Sequence, residues 1–97
     1  MKIINTKIDG DISITEDTDF LGLTTGDMIA EGQITLNVRG LVSKNLIIKE
    51  KAIVNVYGII NGNILNEGKV NIFGIINGRV VNNNGQVFVD EKAIVKG

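Results

Sequence analysis

Three segments in the middle of the chain alternate apolar and polar residues and then end at a glycine. They are residues 36–40, 54–58 and 70–74, and each follows the order apolar residue, asparagine, apolar residue, variable residue, glycine. Alternation with a period of two places successive side chains on opposite faces of a β-strand. We therefore predict three strands whose asparagines, Asn37, Asn55 and Asn71, point outward. The predicted inward residues are Leu36, Val38, Val54, Val56, Val70 and Ile72.

The segment Gly-Ile-Ile-Asn-Gly occurs at residues 58–62 and returns at residues 74–78. A return after about 16–18 residues is typical of short stacked repeats. The same register extends in both directions through the equivalent positions Ile8, Thr24, Val42, Ile60 and Ile76. These positions predict five successive coils and a sixth begun by residues 93–97. The two surplus residues of the longer coils are expected at corners such as 49–51, because surface loops tolerate insertion.

This period, with about three short apolar segments in each repeat, predicts one all-β domain over residues 1–97, a three-sided, single-stranded parallel β-helix (β-solenoid). Twelve glycines and no proline agree with it, since glycine permits tight corners and proline would remove a main-chain donor. Coils spaced by ~4.8 Å predict a rod roughly 25 Å long. Left-handed hexapeptide helices need an aliphatic residue every six positions. This chain does not keep that spacing, so we expect right-handed winding. The predicted core columns are Leu46 with Ile64 and Val80, and Val56 with Ile72 and Val89.

Composition excludes several classes of function. The chain has no cysteine and no histidine, so thiol catalysis, disulfides and the commonest general base and metal ligand are absent. A formal net charge of -1 argues against a general nucleic-acid binder. No apolar run approaches the ~20 residues of a membrane span, and residues 1–6 are too short and polar for a signal peptide. We expect a cytoplasmic, non-enzymatic protein without cofactor, metal or small-molecule substrate.

The glycine and aliphatic positions resemble those of a known family. The succession Val56-x-Gly-x-Ile60-x-Gly-x-Ile64, its copy from Ile72 to Val80 and the closing residues 93–97 resemble bactofilins, bacterial polymer-forming cytoskeletal proteins. The likeness covers roughly residues 36–97. It implies a short right-handed β-helix that self-associates as a scaffold.

Two aromatic residues, Tyr57 and Phe73, occupy equivalent positions one coil apart, with Arg39 one coil earlier. We expect the two rings to stack beside the cation. Such an arrangement can hold a sugar or a base, can shield a corner, or can belong to a protein interface. The interface is the interpretation that we favour.

The asparagines form repeated columns, with Asn61 and Asn77, and Asn66 and Asn82, near the corners. A regular polar column matches a repetitive ligand such as a polysaccharide or an ice lattice. However, asparagine amides also stack in β-structures by hydrogen bonding to the copies above and below. We expect the structural ladder.

Acidic residues are concentrated near the N-terminus, in residues 15–19 with Asp17 and Asp19, joined by Asp9, Asp11 and Asp27. Their spacing fits neither a catalytic carboxylate pair nor a calcium loop, so we expect a solvated corner. Residues 1–31 hold seven acids and two bases, a balance of -5, whereas residues 32–97 hold eight bases and four acids, a balance of +4. Since sequence order is axial order in a solenoid, one end of the rod is predicted to be acidic and the rest mildly basic.

The ends of the solenoid are the remaining candidates. Strand edges without a neighbour invite pairing with another copy. We expect residues 1–4 to cover the first coil in part and the last coil, with Val95, to be the self-association surface. The predicted function is a structural protein that forms homo-oligomers through its ends or a lateral face. The alternative is an immunity-type module whose acidic first coils neutralise a basic protein partner.

Overall fold

The computed structural model describes residues 1–97, which form seventeen short β-strands and no helix. The strands are β1 (Lys2–Ile4), β2 (Lys7–Ile8), β3 (Ile12–Ile14), β4 (Thr18–Phe20), β5 (Leu23–Thr24), β6 (Met28–Ala30), β7 (Thr35–Val38), β8 (Leu41–Val42), β9 (Leu46–Ile48), β10 (Ile53–Val56), β11 (Ile59–Ile60), β12 (Ile64–Asn66), β13 (Lys69–Ile72), β14 (Ile75–Ile76), β15 (Val80–Asn82), β16 (Gln86–Val89) and β17 (Ile94–Val95).

Each strand pairs in parallel with the strand three places further along the chain, which produces three sheets. Face A contains β1, β4, β7, β10, β13 and β16; face B contains β2, β5, β8, β11, β14 and β17; face C contains β3, β6, β9, β12 and β15. The coils, numbered 1 to 6, span residues 2–14, 18–30, 35–48, 53–66, 69–82 and 86–95. The structure therefore confirms the three-sided β-solenoid, with five complete coils and a sixth of two strands. The right-handed winding stays a prediction.

The register of the sheets matches the register predicted from the repeat. Val54 pairs with Leu36 of the previous coil and with Val70 of the next coil. All six residues predicted to point inward on face A are fully buried. The two predicted columns are also confirmed, since Ile64 lies between Leu46 and Val80, and Ile72 lies between Val56 and Val89.

One core of 18 buried apolar residues fills the solenoid, with Phe20 and Met28 as its bulkiest members on coil 2. Each side chain of a middle coil contacts its equivalents above and below. Full burial of an aliphatic side chain contributes ~1.5–3 kcal/mol, and here it depends on the neighbouring coils being present. Stability therefore comes from coil stacking rather than from any single coil.

Corners absorb the differences in coil length. Five residue steps separate Ile48 from Ile53, against three from Asn66 to Lys69, so the two surplus residues of coil 3 lie at the corner 49–52, as predicted. Lys51 there has φ 75°. The tightest corner is that between faces A and B, where a Cβ on Gly58 would lie 2.0 Å from the carbonyl oxygen of Gly40. Only glycine permits this approach of consecutive coils.

The N-terminal residues do not cover the first coil as expected. Lys2–Ile4 is a strand that pairs in register with Thr18–Phe20 and extends face A by one strand. Pairing satisfies the backbone of this segment in a way that a cover over the end would not. The solenoid measures 28 × 25 × 20 Å. Built from strands alone, it contains no helix suited to spanning a bilayer.

Candidate functional site

Three aromatic side chains and one arginine lie at or beside the corner between faces A and B, and we call this group the aromatic corner: Arg39, Tyr57, Phe73 and, from the adjoining strand β16, Phe88. The rings of Tyr57 and Phe73 are stacked, with centroids 5.1 Å apart and planes 10° from parallel. The Arg39 guanidinium lies 4.6 Å from the Tyr57 ring centroid. The predicted arrangement of these three residues is confirmed. All four side chains are exposed, so the group forms a surface rather than a piece of the core.

Phe88 is the member of the aromatic corner that sequence reasoning missed. Its ring lies 6.0 Å from that of Phe73, tilted by 54°. In the register, Phe88 pairs with Asn71 and so replaces asparagine at the end of the outward column of face A. The signal was this departure from the asparagine pattern in the last coil.

Asparagines on the outside of face A form a hydrogen-bonded ladder that begins at an aspartate. The Asn37 amide donates to Asp19 at 2.8 Å, Asn55 donates to Asn37 at 2.9 Å, and Asn71 donates to Asn55 at 2.9 Å. Asn77 donates likewise to Asn61 at 2.8 Å on face B. The structural interpretation of the asparagine columns is confirmed, because the amides are engaged with one another along the axis.

Asp19 is not part of a solvated corner. It lies on β4, where it accepts the Asn37 amide, and its carboxylate is 3.9 Å from the Arg39 guanidinium. The strand begins directly after Glu16 and Asp17 because the Thr18 hydroxyl, which is buried, donates to the Glu16 carbonyl at 2.8 Å and closes the turn. Asp17 stays at the corner, but its carboxylate accepts the backbone N–H of Thr35 at 2.8 Å.

A second ladder at the corner between faces B and C was also missed. There a side-chain oxygen of each coil accepts the backbone N–H of its equivalent in the next coil, from Asp11 to Asp27, Asn45, Asn63 and finally Arg79, at 2.7 to 3.0 Å. The carboxylates of Asp11 and Asp27 therefore accept backbone hydrogen bonds in addition to contributing to the negative charge of the first coils. Hydropathy does not reveal such a column, although aspartate and asparagine both offer the required oxygen.

The outside of face B is apolar in five consecutive coils. Leu23, Leu41, Ile59, Ile75 and Ile94 stand above one another there. The column begins beside the aromatic corner, because each of its first four members directly follows a corner glycine. The aliphatic residue after each corner glycine was the sequence signal for this exposed column. These residues were expected to be purely structural, so the column was missed.

The two ends of the solenoid leave strands with a single neighbour: β1, β2 and β3 at one end, and β15, β16 and β17 at the other. At the second end Val89 is 45% exposed although its equivalents Ile72 and Val56 are fully buried. Val95, predicted as an end contact, points inward from β17 and is half-buried. At the first end Ile4 and Ile8 are half-buried in the same way.

Concave sites are small. Three depressions of about 260, 320 and 380 Å³ are present, near the lower end of the ~300–1,000 Å³ of usual ligand pockets. The first, on face C, is lined in part by Ile47, Leu65 and Val81, and the other two lie at the corner between faces C and A, where Glu67 and Asn84 line both. No group of three or more acidic, cysteine or histidine residues is placed to hold a metal ion. Every buried side-chain polar atom has a hydrogen-bond partner. The features available for recognition are therefore surfaces: the aromatic corner, face B and the two ends.

Comparison with protein-family models, with curated proteins and with solved structures finds no match to this chain.

Proposed function

We propose that the protein is a non-enzymatic structural protein of the cytoplasm that self-associates end to end, as a scaffold of the bactofilin kind. The observation that supports this proposal best is the exposure of the core at coil 6. Val87 and Val89 occupy inward positions on β16, but no further coil covers them among these residues. They lie beside a strand edge whose backbone groups can pair with another strand.

The opposite end offers a matching surface. The half-buried Ile4, Ile8 and Ile12 point inward from coil 1, beside strands that also have one neighbour only. Stacking coil 6 of one copy on coil 1 of the next extends the same parallel pairing and buries both sets of apolar side chains. The charge balance of -5 over residues 1–31 and +4 over residues 32–97 favours this head-to-tail contact at low salt.

The experiment is sedimentation of the purified chain over a range of concentrations and salt concentrations, with the Val89→Lys variant beside it. The wild type is expected to form larger species as concentration rises, and Val89→Lys is expected to remain smaller because an ammonium then occupies the end of the core. Leu65→Lys is the matched control, since Leu65 is similarly exposed but lies on face C. A wild type that stays monomeric at every concentration and salt tested contradicts end stacking.

The second candidate function is an immunity-type module that neutralises a basic partner through the acidic first coils. It is favoured by three exposed acids of the first two coils, which are Glu16, Glu31 and Asp9, the last lying 3.6 Å from Lys7. Titration with polylysine tests the surface. Loss of that binding on replacing all three acids by lysine, in a chain that stays monomeric, would favour this function over the scaffold.

A further inference from the structure

The outside of face B consists of two straight columns. Each of its strands is two residues long, and its second residue points inward. The first residue of each strand forms one outward column, and the residue that follows the strand forms the other. The first is the apolar column described above, with Lys7 at its start in coil 1. The second runs beside it towards face C and is polar. Its members are Asp9, Thr25, Ser43, Asn61, Asn77 and Lys96.

The polar border of face B changes sign along the axis. The second column begins with Asp9 in coil 1 and ends with Lys96 in coil 6. The adjoining corner ladder repeats this order, with the acid Asp27 in coil 2 and the base Arg79 in coil 5. Two independent columns thus run from acid to base in the same direction.

We propose that a second copy of this chain packs antiparallel on face B, about a twofold axis that lies in the interface along the strand direction. Such a rotation reverses the order of the coils but keeps each column opposite itself. Coil 1 then faces coil 6, coil 2 faces coil 5, and coil 3 faces coil 4. A self-complementary surface of this kind is what a twofold dimer requires.

The reversal places opposite charges together and matches four of the five apolar residues, while Lys7, which lies 3.6 Å from Asp9 of its own chain, faces Ile94. Asp9 meets Lys96 of the second copy, and Asp27 meets its Arg79, each pair occurring twice by symmetry. Along the apolar column, Leu23 lies opposite Ile75 and Leu41 lies opposite Ile59. In the alternative dimer, the twofold axis runs along the rod and the two rods are parallel. The apolar column of one copy then faces the polar column of the other, and these pairs do not form.

The aromatic corner borders the same interface. Arg39 belongs to coil 3 and Tyr57 to coil 4, so the guanidinium of one copy faces the tyrosine of the other, and Phe73 faces Leu21. A cation beside an aromatic face is attracted by the ring quadrupole, more strongly when water is excluded. The exposed aromatic pair thereby obtains a partner on the second copy as well as within its own chain.

Face C does not offer the same complementarity. Its outward column, Ser13, Ile29, Ile47, Leu65 and Val81, is also largely apolar. Face C shares the border from Asp27 to Arg79 with face B, but its border towards face A carries Glu31, Lys49 and Glu67 in consecutive coils and has no order from acid to base. Face B is small beside the ~800 Å² per partner of a standard interface, so the dimer is expected to be weak and salt-sensitive. This pairing goes beyond end stacking and uses a different surface.

Cross-linking tests the antiparallel order directly, because the chain has no cysteine of its own. Thr25→Cys and Asn77→Cys are mixed and treated with a bismaleimide that spans the ~10 Å between packed sheets. Coil 2 faces coil 5 in the proposed dimer, so the heterodimer should cross-link. Each variant alone should cross-link at least fivefold less, since its two thiols are offset by three coil spacings, ~14 Å along the axis.

The same cross-linking is expected in the Val89→Lys background, which removes end stacking and thereby separates the two proposals. Ile59→Asp should weaken dimerisation at least tenfold, whereas Leu65→Asp should not; the two residues are both in coil 4 and are 37% and 41% exposed. Arg79→Glu should weaken it more than Lys49→Glu. Homodimers that cross-link as well as the mixture, or equal effects of Ile59→Asp and Leu65→Asp, overturn the proposal.

Discussion

Asn66 is the one asparagine buried within the solenoid, with 1% exposure, and it ties together three coils. Its amide nitrogen donates to the Asn82 side chain at 3.0 Å, to the Gln86 carbonyl at 3.0 Å and to the Gly68 carbonyl at 3.3 Å. Its amide oxygen accepts the Gly68 N–H at 3.2 Å. Asn66→Asp changes one nitrogen into an oxygen and keeps the shape of the side chain, so it removes these donated hydrogen bonds and, when ionised, adds a charge.

The expected loss of stability is large. The amide nitrogen has two N–H groups shared among three acceptors, and losing both donors costs about 2 kcal/mol. The new carboxylate also faces three oxygen acceptors in a buried site, so its pKa is raised and its ionised form adds a further ~1–3 kcal/mol at neutral pH. The sum, about 3–5 kcal/mol, approaches the lower end of the ~5–15 kcal/mol by which single domains are stable.

Urea denaturation followed by far-ultraviolet circular dichroism measures this loss, since the chain has no tryptophan and one tyrosine. The introduced carboxyl has a raised pKa in the folded state, so its electrostatic penalty is absent below the unfolded value of ~3.9 and grows as pH rises through it. The difference in unfolding free energy between the variant and the wild type should therefore be smaller at pH 3 than at pH 7.

Asn82→Asp is the matched control. Asn82 is the equivalent of Asn66 one coil later, but it is exposed and donates only to the Gly85 carbonyl, while its oxygen accepts from Asn66. Its replacement should cost about 1 kcal/mol or less. If Asn66→Asp lowers the unfolding free energy no more than Asn82→Asp does, or if its effect does not vary with pH, the hydrogen bonds of the buried Asn66 amide do not stabilise the contact between these coils.

Three further changes probe other parts of the solenoid. Gly58→Ala should lower the unfolding free energy by about 1–3 kcal/mol or more, because the new methyl group meets the Gly40 carbonyl; a stability within ~0.5 kcal/mol of wild type, by urea denaturation, would contradict this close approach. Asn63→Leu should cost about 1–2 kcal/mol because the Arg79 N–H loses its acceptor, whereas Asn63→Asp, which keeps the oxygen, should cost much less in the same assay. Tyr57→Ala should reduce self-association in sedimentation while leaving the circular dichroism unchanged, and an unfolded variant would mean that the ring supports the core.

Much of the fold could be predicted because the solenoid repeats its chemistry. Inward positions such as Val54 and Ile72 recur at a nearly constant spacing, and a core that stacks like on like imposes the same residue type in every coil. The stacking of Tyr57 and Phe73 followed from the same register. Wherever one coil copies the next, sequence position alone determines the neighbours.

The hydrogen-bonded columns could not be predicted where residues of different type make the same interaction in successive coils. The corner ladder uses aspartate in Asp11 and Asp27 but asparagine in Asn45 and Asn63, and only the backbone N–H positions reveal their common role. The acidic segment predicts a solvated corner, whereas Asp19 lies on a strand and accepts the Asn37 amide. Charge alone does not distinguish a carboxylate that faces water from one that accepts a hydrogen bond.

The nearly constant spacing between paired strands has a consequence for how the chain reaches its structure. Paired residues, from Ile12 with Met28 to Ile60 with Ile76, belong to consecutive coils throughout. Paired residues are therefore about 16–18 positions apart in the sequence. Dividing this separation by the chain length gives a relative contact order of about 0.16–0.19, which is typical of domains that fold in milliseconds to seconds.

Every added coil closes a loop of nearly the same length, so the entropic cost of each step is nearly constant. Only the first pairing lacks a template, and the buried side chains of coils 3 and 4 make them the natural starting point. Growth then proceeds outward in both directions. Amide hydrogen exchange should accordingly be slowest in the middle coils and fastest in coils 1 and 6, so that the solenoid lengthens and shortens by whole turns at its two ends.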